Sequence, residues 1–128
     1  ARWDRLYMCS DRQAGPRHPM IYKHPVTGKP TMCIHLGMTR GFMWDKGSPD
    51  SRVTGGPETE ELLCELEQLL ADNSDLVYRH EWEDGDFLIT DNLALAHEAT
   101  PETQLPVSEV GLRILHRTTV AGVHVPTK

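Results

Sequence analysis

Hydrophobic and polar positions change rhythm along the chain. Between residues 57 and 73 leucines recur at helical spacing, and Leu62, Leu63, Leu66, Leu69 and Leu70 make one apolar stripe. Pro57 suits the first helical position, and Glu58, Glu60 and Glu61 complement the positive end of the helix dipole. Asn73 and Ser74 stop the pattern, so it predicts one helix, Pro57 to Asp72. From Leu76 onward the rhythm is that of strands. Leu76 to Trp82 precedes the polar turn Glu83-Asp84-Gly85-Asp86, Phe87 to Thr90 forms a second run, and Asp91-Asn92 marks a bend. Leu93 to His97 continues extended, a loop holds Pro101 and Pro106, and Leu112 to Val120 makes the last strand.

The first 56 residues read as irregular and rich in turns, holding all five Met. Met20 to Lys23 and Thr31 to Leu36 are candidate short strands around the turn His24-Pro25-Val26-Thr27-Gly28-Lys29-Pro30. Short strands divided by Gly, Asp and Pro turns predict a mainly β, α+β single domain over residues 1–128. Its jelly-roll strands would lie in 76–122, with one helix packed outside.

Strand parity sharpens the candidates for chemistry, because side chains alternate faces. His97 shares a face with Leu93 and Leu95, while Arg113, Leu115, Arg117 and Thr119 share one face of the last strand. Four residues of strand separate the two arginines by roughly 13 Å, so they would hold different groups. A guanidinium matches a carboxylate bidentately, and an inward arginine without such a partner is costly. By themselves these residues fit a hydrogen-bonded structural histidine and arginines on a wet strand face better than a binding site.

Composition narrows the classes. The 128 residues carry a formal net charge of -6 with no Lys/Arg cluster, which argues against general nucleic-acid binding. No apolar run approaches the roughly 20 residues that span a bilayer. The three cysteines, Cys9, Cys33 and Cys64, lie far apart with no C-x-x-C, which argues against a disulfide framework or zinc ribbon and fits a reducing compartment, cytoplasm or organelle. The seven histidines include no i, i+4 helical pair and no paired cysteine, so a separate zinc-type site is disfavoured.

Three motifs together carry a family resemblance. Trp82-Glu-Asp-Gly-Asp86, an apolar run, Asp91-Asn92 and then His97 resemble the W-x-x-G-D, D-N and distal histidine tract of taurine dioxygenase-like (TauD/TfdA) enzymes. These are non-haem iron, 2-oxoglutarate-dependent dioxygenases. Gly111-Leu-Arg113-Ile-Leu-His116-Arg117-Thr-Thr-Val-Ala-Gly122 is similar to that family's closing strand, and His24-Pro25-Val26-Thr27-Gly28 to its H-P-x-T-G turn. The three occur in family order across about residues 18 to 122. The resemblance implies the C-terminal part of a double-stranded β-helix (jelly roll). It also implies His97 as the distal Fe(II) ligand, Arg113 on the distal carboxylate of 2-oxoglutarate, and Arg117 nearer the pocket mouth against an anionic group. In complete enzymes of this kind, iron and 2-oxoglutarate activate oxygen, yield succinate, and oxidise a C–H bond of a small molecule. Fifteen residues separate His97 from Arg113, somewhat more than is usual, which a longer 99–110 loop would accommodate.

The family's remaining iron ligands come as H-x-D or H-x-E upstream of the H-P-x-T-G turn. The residues two beyond His18, His24, His35, His80, His97, His116 and His124 are Met20, Val26, Gly37, Trp82, Ala99, Thr118 and Pro126, and none is acidic. His35-Leu36-Gly37 is not a substitute, because it follows the turn instead of preceding it. Two expectations follow. Either the missing half belongs to an N-terminal segment or another polypeptide, or the chain is a degenerate, non-catalytic accessory subunit docked on a protein partner through its exposed strand edges. Alone, it is expected to be inactive.

Overall fold

The computed structural model describes residues 2–11, 17–112, 114–123 and 127–128. Six strands come first: β1 (Leu6–Ser10), β2 (Arg17–Pro19), β3 (Ile21–Lys23), β4 (Pro30–Met32), β5 (Thr39–Trp44) and β6 (Arg52–Val53). Alternation in β1 turns Leu6 and Met8 inward, and both are buried. A four-stranded antiparallel sheet runs in the order β2-β1-β5-β6, and β3 and β4 form a separate antiparallel hairpin with Tyr22 opposite Thr31. Met20 joins the two units. Its N–H donates to the Leu6 carbonyl at 2.9 Å, and its own carbonyl accepts from the Cys33 N–H at 2.8 Å.

Helix α1 (Gly56–Asp72) lies close to the helix that the leucine spacing predicts. It lays Leu62 and Leu66 into one cluster with Leu6, Met8, Met20 and Phe42. The stripe is covered only over its first half. Leu69 and Leu70 stay exposed, because the helix meets the sheet chiefly through β5. Its first turn is stitched to that strand by threonines. Thr54 Oγ1 accepts from the Phe42 N–H at 3.0 Å and lies 2.6 Å from Thr59 Oγ1, which donates to the Gly55 carbonyl at 2.9 Å. Gly41 leaves room beside them, since a Cβ there would sit 3.3 Å from Thr54 Oγ1, close enough that the threonine would have to shift by a few tenths of an ångström. Glu58 adds a charged clasp: it accepts from Trp44 Nε1 at 2.9 Å and from both Arg52 terminal nitrogens at 2.6 and 2.8 Å.

Two expectations change. Residues 1–56 are not irregular, since all strands among the described residues lie there. Their prolines and glycines separate short strands instead of replacing them; the candidate at Met20 to Lys23 falls on β3, while of Thr31 to Leu36 only Thr31 and Met32 lie in β4 and Leu36 opens a 3-10 turn. In the other direction, no described residue from Val77 onward belongs to a strand. That stretch holds a 3-10 turn at Pro101–Gln104 and the one-turn helix α2 (Val107–Val110). Phe87, Ile89, Leu112, Ile114 and Val120 are each at least 70% exposed. A strand forms only where its backbone groups find a ladder partner and its apolar face finds cover. The described sheet ends in β2 and β6, of three and two residues, and offers neither. The fold is therefore β-rich, antiparallel, with one main helix, and no jelly roll is assembled among the described residues. No helix among them is long and apolar enough to cross a membrane.

The Glu58 clasp has a pH signature. Hydrogen bonds from Arg52 and then Trp44 lower the Glu58 carboxyl to about 2 from 4.5. A depressed folded value means that the unfolded chain binds the proton more readily, so the contribution is complete above the unfolded value and lost as pH falls through the folded one. Glu58→Gln should lower stability at neutral pH and flatten the stability curve between about pH 4.5 and 2, as read by denaturant titration at each pH. An unchanged slope there would count against the clasp.

Candidate functional site

The H-P-x-T-G turn is built around a buried imidazole. His24 Nδ1 accepts the N–H groups of Val26 and Thr27, both at 3.2 Å. The turn closes with the Gly28 N–H on the His24 carbonyl at 2.8 Å, and Gly28 takes φ +68°, where a side chain would be strained. Because Nδ1 only accepts, the proton sits on Nε2, which donates to Asp91 Oδ2 at 2.9 Å. Asp91 belongs to the D-N bend, so this one bond joins two of the three motifs across 67 residues of sequence.

Asp91 also shapes its own segment. Its Oδ1 accepts the Leu93 N–H at 2.9 Å, and its carbonyl accepts the N–H groups of Ala94 and Leu95 at 3.0 Å each. The Leu93 and His24 hydrogen bonds hold the Asp91 carboxyl below the usual carboxylate range. The hairpin grips this turn a second time through Tyr22, whose hydroxyl donates to the Leu93 carbonyl at 2.5 Å. Burial pushes the Tyr22 phenol up, which keeps it a donor. Between hairpin and turn lies a cavity of about 50 Å³ lined by Tyr22, Met32, Cys33, Ile34, Asn92, Leu93, Leu95 and Ala96. Burial raises the Cys33 thiol as well, so Cys33 is a poor nucleophile.

The W-x-x-G-D tract forms its own turn. Gly85 takes φ +93°, and Asp86 Oδ2 accepts the Glu83 N–H at 3.0 Å. His80 stands edge-on to Trp82 with ring centroids 4.4 Å apart. Its Nε2 lies 3.0 Å from Asp86 Oδ2 but off the hydrogen-bond direction.

The residues singled out from sequence are less gathered. Leu93 to His97 does not begin as a strand; its first residues form the Asp91 turn, so the parity linking His97 to Leu93 does not apply. His97 is exposed. Arg117 is exposed too, and Arg113 lies outside the described residues. No group of three His, Cys, Asp or Glu side chains able to hold a metal occurs among the described residues. Their donor set therefore does not fit iron by itself, since such a site needs two histidines and a carboxylate together and His97 stands without either among the described residues. What sequence reasoning missed is the pairing of His24 with Asp91. Both stood in recognised motifs, and the signal was a histidine opening a tight turn and an aspartate opening a bend.

Comparison with known proteins gives a consistent picture. The family model for taurine catabolism dioxygenase TauD, TfdA family, matches residues 8–119. An alpha-ketoglutarate-dependent xanthine dioxygenase of Schizosaccharomyces pombe is 29% identical over 109 residues, 84% of this chain and 25% of the relative. One from Emericella nidulans is 32% identical over 79 residues, 62% of this chain and 20% of the relative. An alpha-ketoglutarate-dependent dioxygenase of Aspergillus oryzae is 31% identical over 100 residues, 73% of this chain and 25% of the relative. The chain thus spans about a quarter of the length of these relatives. No solved structure matches it.

Because Asp91 titrates low in the folded state, its hold on the turn is present at neutral pH and lost as pH falls through that depressed value. Protection factors of the Ala94 and Leu95 amides should drop on acidification below the ordinary carboxylate range. In Asp91→Asn they should be low throughout. Equal, pH-independent protection in both proteins would show that the carboxylate does not hold the turn.

Proposed function

The chain belongs to the taurine catabolism dioxygenase TauD, TfdA family, and on that premise we propose that it forms part of an iron- and 2-oxoglutarate-dependent dioxygenase that oxidises a small molecule. The observation that carries this is the extent of the family match. Residues 8–119 include the H-P-x-T-G turn, the W-x-x-G-D to His97 tract and most of the closing strand, in order. His97 is the proposed distal iron ligand, a neutral imidazole suited to ferrous iron. Arg113 is proposed to hold the distal carboxylate of 2-oxoglutarate in its guanidinium fork, and Arg117 an anionic group nearer the pocket mouth. The H-x-D/E pair and the partner strands of a jelly roll would come from outside these 128 residues. Supporting this is the exposed apolar surface of residues 87–120, which asks for strands to pair with and a face to cover it.

The same exposed surface favours a second reading, a non-catalytic subunit that docks on a larger protein through these residues. One experiment separates the two. Ferrous iron and 2-oxoglutarate are added without oxygen to the full-length gene product that contains this chain. The dioxygenase reading expects a visible charge-transfer band, its loss in His97→Ala, and a roughly 10- to 100-fold higher KM for 2-oxoglutarate in Arg113→Ala, the scale of a lost charge-assisted pair. Xanthine, named for two of the relatives, is the first substrate to try. No band, together with stoichiometric co-purification with a larger assembly, would favour the accessory subunit instead.

A further inference from the structure

We propose that the chain self-associates as a two-fold dimer through the far end of α1, where an open cleft is filled by the same surface of a second copy. The cleft has a volume of about 560 Å³ and is lined by Leu70, Ala71, Ser74, Val77 and Arg79. It lies where α1 gives way to the 3-10 turn Ser74–Leu76. Backbone bonds hold that turn in shape: the Leu76 N–H donates to the Asn73 carbonyl at 3.0 Å and the Val77 N–H to the Ser74 carbonyl at 3.1 Å. The Asn73 side chain donates to the Leu69 carbonyl at 2.8 Å, which caps the end of the helix. The leucine stripe of α1 runs out into this cleft. Leu62 and Leu66 are buried, whereas Leu70 is 41% and Val77 49% exposed. An apolar wall left open where a buried stripe ends is a surface suited to a partner.

The charges around the cleft identify that partner. Glu67 precedes Leu70 and Ala71 by three and four residues, so it stands on the same face of the helix, one turn earlier. Arg79 lines the cleft from the segment beyond the turn. Both are exposed, and neither belongs to an ion pair among the described residues, whereas Glu65 and Glu58 are taken by Arg2 and Arg52. Arg79 reaches Glu102 only through longer-range attraction. The cleft thus carries an acid on its helix side, a base on the other side, and apolar side chains on both. Rotated by half a turn, the same surface sets a base opposite the acid and an acid opposite the base. Glu67 of each copy then meets Arg79 of the other, and the apolar walls cover one another. A two-fold contact requires such self-complementarity. A surface of one sign would instead suit an oppositely charged partner.

The test is sedimentation velocity of the full-length protein carrying this chain, over a concentration series. The wild type should sediment as a dimer that dissociates on dilution. Glu67→Arg and Arg79→Glu should each weaken the dimer roughly 10-fold or more, since each sets like charges together twice across the two-fold axis. Val77→Glu should do the same by charging the apolar wall. All three positions are exposed, so Tm should move little. An equimolar mixture of the Glu67→Arg and Arg79→Glu proteins should dimerise as the wild type does, because every pair across the axis is again of opposite charge. A monomeric wild type overturns the proposal, and so does a dimer that ignores all three substitutions. A mixture that stays dissociated also overturns it, by showing that the two residues do not face each other across a two-fold axis. Iron and 2-oxoglutarate play no part in this readout, so its failure leaves the dioxygenase reading where it stands.

Discussion

A single neutral imidazole holds the arrangement together. His24 uses one nitrogen to close its own turn and the other to grip Asp91. Were the ring protonated on both nitrogens, Nδ1 could not accept the Val26 and Thr27 amides. Were it neutral with the proton on Nδ1, the bond to Asp91 would lose its donor. Only one protonation state satisfies all three partners, and a buried polar network is worth having only when every member is satisfied. Through that bond, the hydrophobic cluster of Leu6, Met8, Met20, Phe42, Leu62 and Leu66 extends its order to residues that bury little themselves.

Much of this was legible in the sequence, and the remainder was hidden for identifiable reasons. The helix was legible because leucine spacing, Pro57 and the leading glutamates all point the same way, and Leu62 and Leu66 are buried as the stripe requires. The family was legible from three motifs in order. The strands within residues 1–56 were hard to read because they are two to six residues long and interrupted by turns. Between residues 76 and 122, alternation reads as strand, yet alternation states only what a segment will do when a partner is present. Apolar side chains such as Phe87 and Val120 keep the pattern without the pairing. The bond between His24 and Asp91 was hidden because a hydrogen bond across 67 residues leaves no local spacing to read.

The three motifs thereby acquire different physical meanings. The H-P-x-T-G turn and the D-N bend are two halves of one latch, each with its own internal hydrogen bonds. The W-x-x-G-D tract is a self-contained turn closed by Asp86 on the Glu83 amide. The closing motif leaves Arg117 exposed and outside any strand, with Arg113 outside the described residues. A family match thus coexists with an unassembled donor set, which is what a chain spanning about a quarter of its relatives' length presents.

The state of His24 can be read directly by nitrogen NMR of the 15N-histidine-labelled protein near neutral pH. A bare Nδ1, with a proton on Nε2 that is coupled to or shifted by a carboxylate, is the predicted signature, and it should collapse when Asp91 is replaced. A proton on Nδ1, or a rapidly averaging ring, would mean that His24 does not hold Asp91 and that the hairpin does not grip the turn at residues 91–95.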